Sequence, residues 1–224
     1  MRSPPRRYRW LASLCIAVAL PAAAQPEVPS FAELEAAGAV IGEIRIETHN
    51  IFDLSDPNES GILYRAANAL HIKTRPELIR RSLLFKSGER VSVRLIEETE
   101  RLIRATSTVY DVAIRPRRYD EGVVDLEVVT RDTWTLQPGA KLRREGGRTS
   151  AAINIKETNL AGSGTTLGFE RSSTVDRNGT SFQLGHDHLF DGWTAGALER
   201  SSFSDGSSES ISLAHPFYAL DTRR

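Results

Sequence analysis

The residues with the most evident chemical potential are His186, Asp187 and His188. On a strand, alternate side chains point the same way, so the two imidazoles would share a face and could start a metal site. A closed structural zinc site needs about four donors. The other histidines, His49, His71 and His215, are scattered, and the single cysteine is Cys15. A solvated strand end or loop accounts for the pair better. Serine, histidine and aspartate are plentiful, but no spacing isolates a triad, and no G-x-S-x-G nucleophile elbow occurs. The glycines of NLAGSG (residues 159–164) could be taken for a phosphate loop. No helix follows them, so they are read as a tight hairpin turn. Asp132 and Trp134 are read as a structural junction. The sequence therefore offers no catalytic, cofactor-binding or metal-ligating residue, and the chain is not expected to be an enzyme.

The basic series Arg75, Arg80, Arg81, Lys86, Arg90 and Arg94 has two readings. One is a solvated helix face; the other is a surface for acidic lipid headgroups or an acidic partner. Charge otherwise balances at 29 basic against 29 acidic residues. Four of the basic residues (Arg2, Arg6, Arg7 and Arg9) precede the apolar run LASLCIAVAL (residues 11–20). Ala22 and Ala24 then complete an A-x-A pattern, which marks a secretory signal cleaved between Ala24 and Gln25. The run is about half the length a membrane-spanning helix needs. Leu14 before Cys15 does not suit a lipobox. Cleavage leaves 25 basic against 29 acidic residues and no thiol, which argues against nucleic acid and against disulfides.

Certain elements must hold these residues. Residues 25–40 read as a short, weakly structured lead-in. Ile44 and Ile46 alternate with charges as in a half-buried strand. Residues 53–60 are turn-rich, and residues 62–70 suit a short helix. Thr74, Pro76 and Glu77 predict a helix start with Thr74 as N-cap, ending at Ser87 and Gly88. A second helix is expected over residues 92–104, with Leu95, Ile96, Thr99, Leu102 and Ile103 inward. Two strands follow, through Tyr110, Val112 and Ile114 and through Val124, Leu126 and Val128, joined at Glu121 and Gly122. The order β-α-α-β-β predicts a three-stranded sheet covered on one face by two helices. Its expected core is Ile44, Ile46, Leu78, Leu83, Leu95, Leu102, Val112, Ile114, Leu126 and Val128.

From Arg148 onward helical periodicity gives way to short alternating runs and turn clusters. Ile153, Ile155, Leu167, Phe169, Phe182 and Leu184 interleave with small and polar residues. That suits a membrane barrel with a wet lumen, and equally a soluble antiparallel sheet. After Gly185 the parity fails, through a strand leaving the lipid zone or a bulge.

Three stretches carry a family resemblance. AANALHIKTRPELIRRSLLFKSGE (residues 66–89), LIEETERLIRA and VVDLEVVTRDTWTL (residues 123–136) resemble a POTRA domain, in particular the last one before the barrel in the BamA/TamA-like superfamily of outer-membrane proteins. KETNLAGSGTTLGFE (residues 156–170) resembles the first barrel hairpin of that superfamily, and HPFYALDTR (residues 215–223) a later strand end. Family barrels have sixteen strands, whereas about five are legible here, and the VRGF-type loop motif is missing, so the barrel is expected to be incomplete.

The resemblance implies an α+β chain: signal 1–24, lead-in 25–40, POTRA domain 41–135, and the first antiparallel strands of an outer-membrane β-barrel over 148–224. It implies an outer-membrane location with the POTRA domain in the periplasm. There Trp134 would pack against the barrel rim. It also implies a role in assembling, inserting or translocating proteins. The partners would be outer-membrane lipid, unfolded outer-membrane or secreted clients, and periplasmic assembly factors. Neither a cofactor nor nucleic acid is implied. In the family topology the strand over residues 108–115 is a sheet edge. Unpaired backbone groups along Val109, Tyr110, Val112 and Ile114 could then add a client strand. The alternative is a soluble periplasmic binding protein built from an α/β module and a β-sheet module. The two differ in whether the alternating apolar residues face outward or fill a closed core.

Overall fold

The computed structural model describes residues 28–190 and 193–216. Ala24 and Gln25, with the rest of the signal, lie outside the described residues, as do residues 217–224 of the HPFYALDTR stretch. Among the described residues no helix is long and apolar enough to cross a membrane.

The chain starts with structure where a loose lead-in is expected. Helix α1 (Phe31–Ala36) is closed by a capping box: the Ser30 N–H donates to Glu33 Oε2 at 2.8 Å, and the Glu33 N–H donates to Ser30 Oγ. The reason it persists is Leu34, which is fully buried in the core of the first module. That module has three strands, β1 (Val40–His49), β2 (Val109–Asp120) and β3 (Val123–Asp132), in the order β1-β3-β2. β3 is the middle strand, parallel to β1 and antiparallel to β2. Glu121 and Gly122 both take positive φ, as a two-residue hairpin requires. Between β1 and β2 run helices α2 (Ile62–Leu70), α3 (Pro76–Arg81) and α4 (Val93–Arg104). Ile79, Ile96 and Ile103 pack with Val112, Ile114, Val124, Leu126 and Val128 in one core.

Three expectations shift. Helix α3 starts at Pro76 with Arg75 as N-cap and ends at Ser82, well before Ser87 and Gly88. Thr74 is instead buried, its side chain recruited by a residue far along the chain. Leu83 and Phe85 still reach the core, but from non-helical backbone. On α4 the buried seam is Ile96, Thr99 and Ile103, while Leu95 and Leu102 are half-buried. The buried Thr99 hydroxyl is satisfied at this seam, donating to the Leu95 carbonyl and accepting the Leu84 N–H.

The second sheet has six strands: β4 (Leu136–Glu145), β5 (Arg148–Leu160), β6 (Thr165–Ser173), β7 (Asn178–Leu189), β8 (Thr194–Phe203) and β9 (Gly206–Ala214). Each is antiparallel to its chain neighbour. The sheet therefore begins at Leu136, not Arg148, and has one strand more than the alternation suggests. β4 escapes a hydrophobicity reading because Gln137, Pro138, Gly139 and its basic residues depress strand propensity. Pro138 is tolerated since β4 is an edge strand, where one missing donor costs no ladder bond.

Candidate functional site

Strand register decides which side chains of the second sheet share a face. Ile155, Phe169 and Phe182 are consecutive cross-strand partners. So are Leu167, Leu184, Leu198 and Ile211. The Phe169 and Phe182 rings meet edge-on at 5.1 Å. Ile153 lies on the same face of β5, one register step away. These residues do not fill a closed core. Ile153 is 59% exposed, Phe182 53% and Leu184 46%. The opposite face carries the rows Lys156, Gly168, Gln183, Glu199, Ser210 and Asn154, Glu170, Ser181, Ser201, Ser208. The first face carries an exposed apolar band, flanked in the same rows by Glu157, Arg171, Arg200 and Glu209, and the other face is polar, which is the division a lipid-facing wall with a wet lumen requires. The apolar run shifts along the register from Ile153 and Ile155 on β5 to Ile211 and Leu213 on β9, as a level band must where strands are tilted. The outer edges of β4 and β9 carry no strand partner among the described residues; in hydrocarbon each would have to be paired.

The two sheets are joined by a buried polar cluster. Asp132, at the end of β3, is fully buried; its Oδ2 lies 2.8 Å from His71 Nε2 and accepts the Thr74 N–H at 2.7 Å. The Thr74 hydroxyl accepts from Asn159 Nδ2 at 2.8 Å, and Asn159 Oδ1 accepts the Gly164 N–H at 2.7 Å. The Arg75 N–H donates to the Gly162 carbonyl at 2.9 Å. Thus the β5–β6 turn docks onto the segment between α2 and α3. Its glycines are required twice: Gly162 and Gly164 both have positive φ, and a Cβ on Gly162 would overlap the Lys73 carbonyl. The reading of Asp132 as a junction and of the LAGSG glycines as a tight turn holds, and both belong to one contact.

His186 and His188 are not a solvated strand end. A register shift follows His186 on β7. His188 then lies half-buried with Nε2 3.1 Å from Ser82 Oγ, while His186 Nδ1 approaches Thr165 Oγ1 at 3.3 Å. The two rings serve different partners. No group of three or more His, Cys, Asp or Glu suited to a metal occurs among the described residues. Trp134 is partly exposed and lines a cleft of about 290 Å³ with Leu70, Ile72, Leu136 and Leu160, between the helical module and the sheet. Of the basic series, Arg80 reaches the Ile44 carbonyl and Arg75 bonds the turn through its backbone, while Arg80, Arg81 and Lys86 line one cleft with Leu83 and Phe85.

The edge residues fall on the outer margin of β2, with Val109, Val112 and Ile114 buried and Tyr110 exposed. Their free backbone groups are partly taken. Arg104 Nη2 donates to the Val112 carbonyl and the Ile114 N–H donates to Glu100 Oε1, both at 2.7 Å. Pro116 further along has no N–H. Asp111, together with Glu100, raises the Arg104 pKa above its ordinary value through hydrogen bonding. The family resemblance points to this edge but not to its guard, which lies on another element.

No protein-family model matches the chain, and no curated protein does. Among solved structures, the fold is similar to that of BamA from Haemophilus ducreyi lacking POTRA domains 1-3, with a TM-score of 0.54 and 14% identity over 73% of this chain and 27% of that one. CdiB from Acinetobacter baumannii is matched with a TM-score of 0.45 and 14% identity over 75% of this chain and 28% of that one. The chain thus spans about a quarter of the length of these structures. At such identity the first match is a likeness of fold, and it supports the assignment of the six strands to a β-barrel architecture.

Proposed function

We propose that the chain is part of an outer-membrane POTRA-and-barrel protein that acts in assembly, insertion or translocation of other polypeptides. The observation that carries this reading is the two-faced sheet, apolar on one side and polar on the other, locked to a helical module at one end. A soluble two-module binding protein would bury Ile155, Phe182 and Leu184, which here face outward. The first module supports a POTRA assignment through its β1-β3-β2 sheet and the helices between β1 and β2, of which there are three (α2, α3 and α4), one more than the expected β-α-α-β-β order. In this reading the chain belongs in the outer membrane after signal cleavage, with the first module in the periplasm. No enzymatic step is assigned to it.

Client contact is proposed to run along β2 by strand addition. Glu100 and Arg104 act as its gate, because an incoming strand must displace both from Val112 and Ile114. The combined change Glu100→Ala and Arg104→Ala should therefore raise cross-linking of an unfolded outer-membrane peptide to β2. Val112→Pro, with folding checked by circular dichroism, should lower it. Equal cross-linking in all three proteins would place client contact elsewhere.

A further inference from the structure

Helix α2 buries nothing, yet it is not polar. Ile62, Leu63 and Leu70 are 83%, 80% and 78% exposed, and Ile72 just beyond the helix is 60% exposed. With Ala66 they form one stripe at helical spacing. The opposite side holds the helix to its module. Asn68 bonds the Phe52 backbone in both directions, and the Phe52 and Tyr64 rings pack at 4.7 Å. The preceding loop is fixed as well, by a two-oxygen pairing of Arg131 with Glu59 at 2.7 and 2.8 Å. That guanidinium holds the Glu59 carboxyl below its ordinary pKa. An amphipathic helix is thus mounted firmly with its apolar side outward.

We propose that α2 is an interfacial membrane helix, lying in the periplasmic leaflet of the bilayer that the second sheet spans. This rests on the barrel reading above. Two observations select lipid as the occupant. The first is continuity: Leu70 and Ile72 line the same cleft as Leu136 and Leu160. Leu136 joins the register row of Leu167, Leu184 and Leu198 on the outward face through Glu157, and Leu160 pairs with Thr165 at the rim of that face. The helix therefore extends the lipid-facing wall at its periplasmic end. The second is composition. Trp134 in the cleft suits the aromatic zone of a membrane interface. Arg65, Lys73 and Arg75 flank the stripe, all exposed, where headgroup phosphates would be.

The test uses the full chain with Cys15→Ser, a single cysteine at Leu63, Leu167 or Glu121, and an environment-sensitive fluorophore. The protein is reconstituted into vesicles of phosphatidylethanolamine and phosphatidylglycerol. Quenching is read from lipids bearing a nitroxide near the headgroup or deep in the acyl chain. The Leu63 probe should be quenched strongly by the shallow nitroxide and weakly by the deep one. The Leu167 probe should be quenched by acyl-chain nitroxide, and the Glu121 probe by neither. Quenching at Leu167 with none at Leu63 overturns the interfacial helix while leaving the barrel reading intact. A blue-shifted but unquenched Leu63 probe would mean that protein, a second copy or a partner, covers the stripe instead of lipid. Quenching at neither Leu63 nor Leu167 would refute the inference together with the barrel reading beneath it.

Discussion

Asp132→Ala should destabilise the chain by about 2–6 kcal/mol, at about 1–3 kcal/mol for each of the two buried donors that lose their acceptor. The carboxylate is fully buried at the end of the central strand, and one of its oxygens serves both His71 and the Thr74 N–H. Alanine leaves both of those donors buried without an acceptor, and the loss of Thr74 geometry then passes to Asn159. Asp132→Asn should cost less, because an amide oxygen can still accept from Thr74. Urea unfolding followed by tryptophan emission measures the difference directly, since Trp134 lies beside the junction in one cleft with His71 and Asn159. Equal stability of the alanine variant and the parent would show that the cluster does not hold the two sheets together.

Gly162→Ala should separate the modules without unfolding either. The substitution meets two costs at once: a residue with a side chain in left-handed backbone, about 1–2 kcal/mol, and a Cβ against the Lys73 carbonyl, where backbone cannot give way. Overpacking of this kind costs about 1–3 kcal/mol or more. The turn can escape both by lifting off the segment that contains Thr74 and Arg75, which forfeits the Arg75–Gly162 bond. The expected signature is a red shift of tryptophan emission with unchanged far-ultraviolet circular dichroism. Gly146→Ala, in a turn where a Cβ meets nothing, carries only the backbone cost and should leave the emission in place.

Much of the fold can be read locally, because local periodicity and turn chemistry decide it. Helix α2 over residues 62–70, the span of α4 and the Glu121–Gly122 hairpin follow from apolar spacing and glycine placement. What escapes is decided by distant partners. Thr74 satisfies a capping-box pattern, but Asn159, 85 residues away, takes its hydroxyl. Helix α1 is short and alanine-rich, with Leu34 as its single buried residue, so it has no apolar stripe; the Ser30–Glu33 capping box was the available signal. β4 hides behind proline, glycine and charge. The junction was half legible. Asp132 and the LAGSG turn are each conspicuous, whereas the contact between them depends on how the two sheets meet. The guard on the β2 edge lies in the same category, since Glu100 and Arg104 look like ordinary solvent-side residues of α4.

The two faces of the second sheet separate a membrane wall from a soluble sheet, and strand β7 offers the most direct measurement. Single cysteines at Ser181, Phe182, Gln183 and Leu184, in the full chain carrying Cys15→Ser, can each be labelled after reconstitution into lipid vesicles and quenched in turn from the water and from the acyl region. The register predicts a strict alternation, with Phe182 and Leu184 reached from lipid and Ser181 and Gln183 from water. Four sites that behave alike, or an alternation of the opposite parity, would contradict a lipid-facing wall and with it the outer-membrane reading.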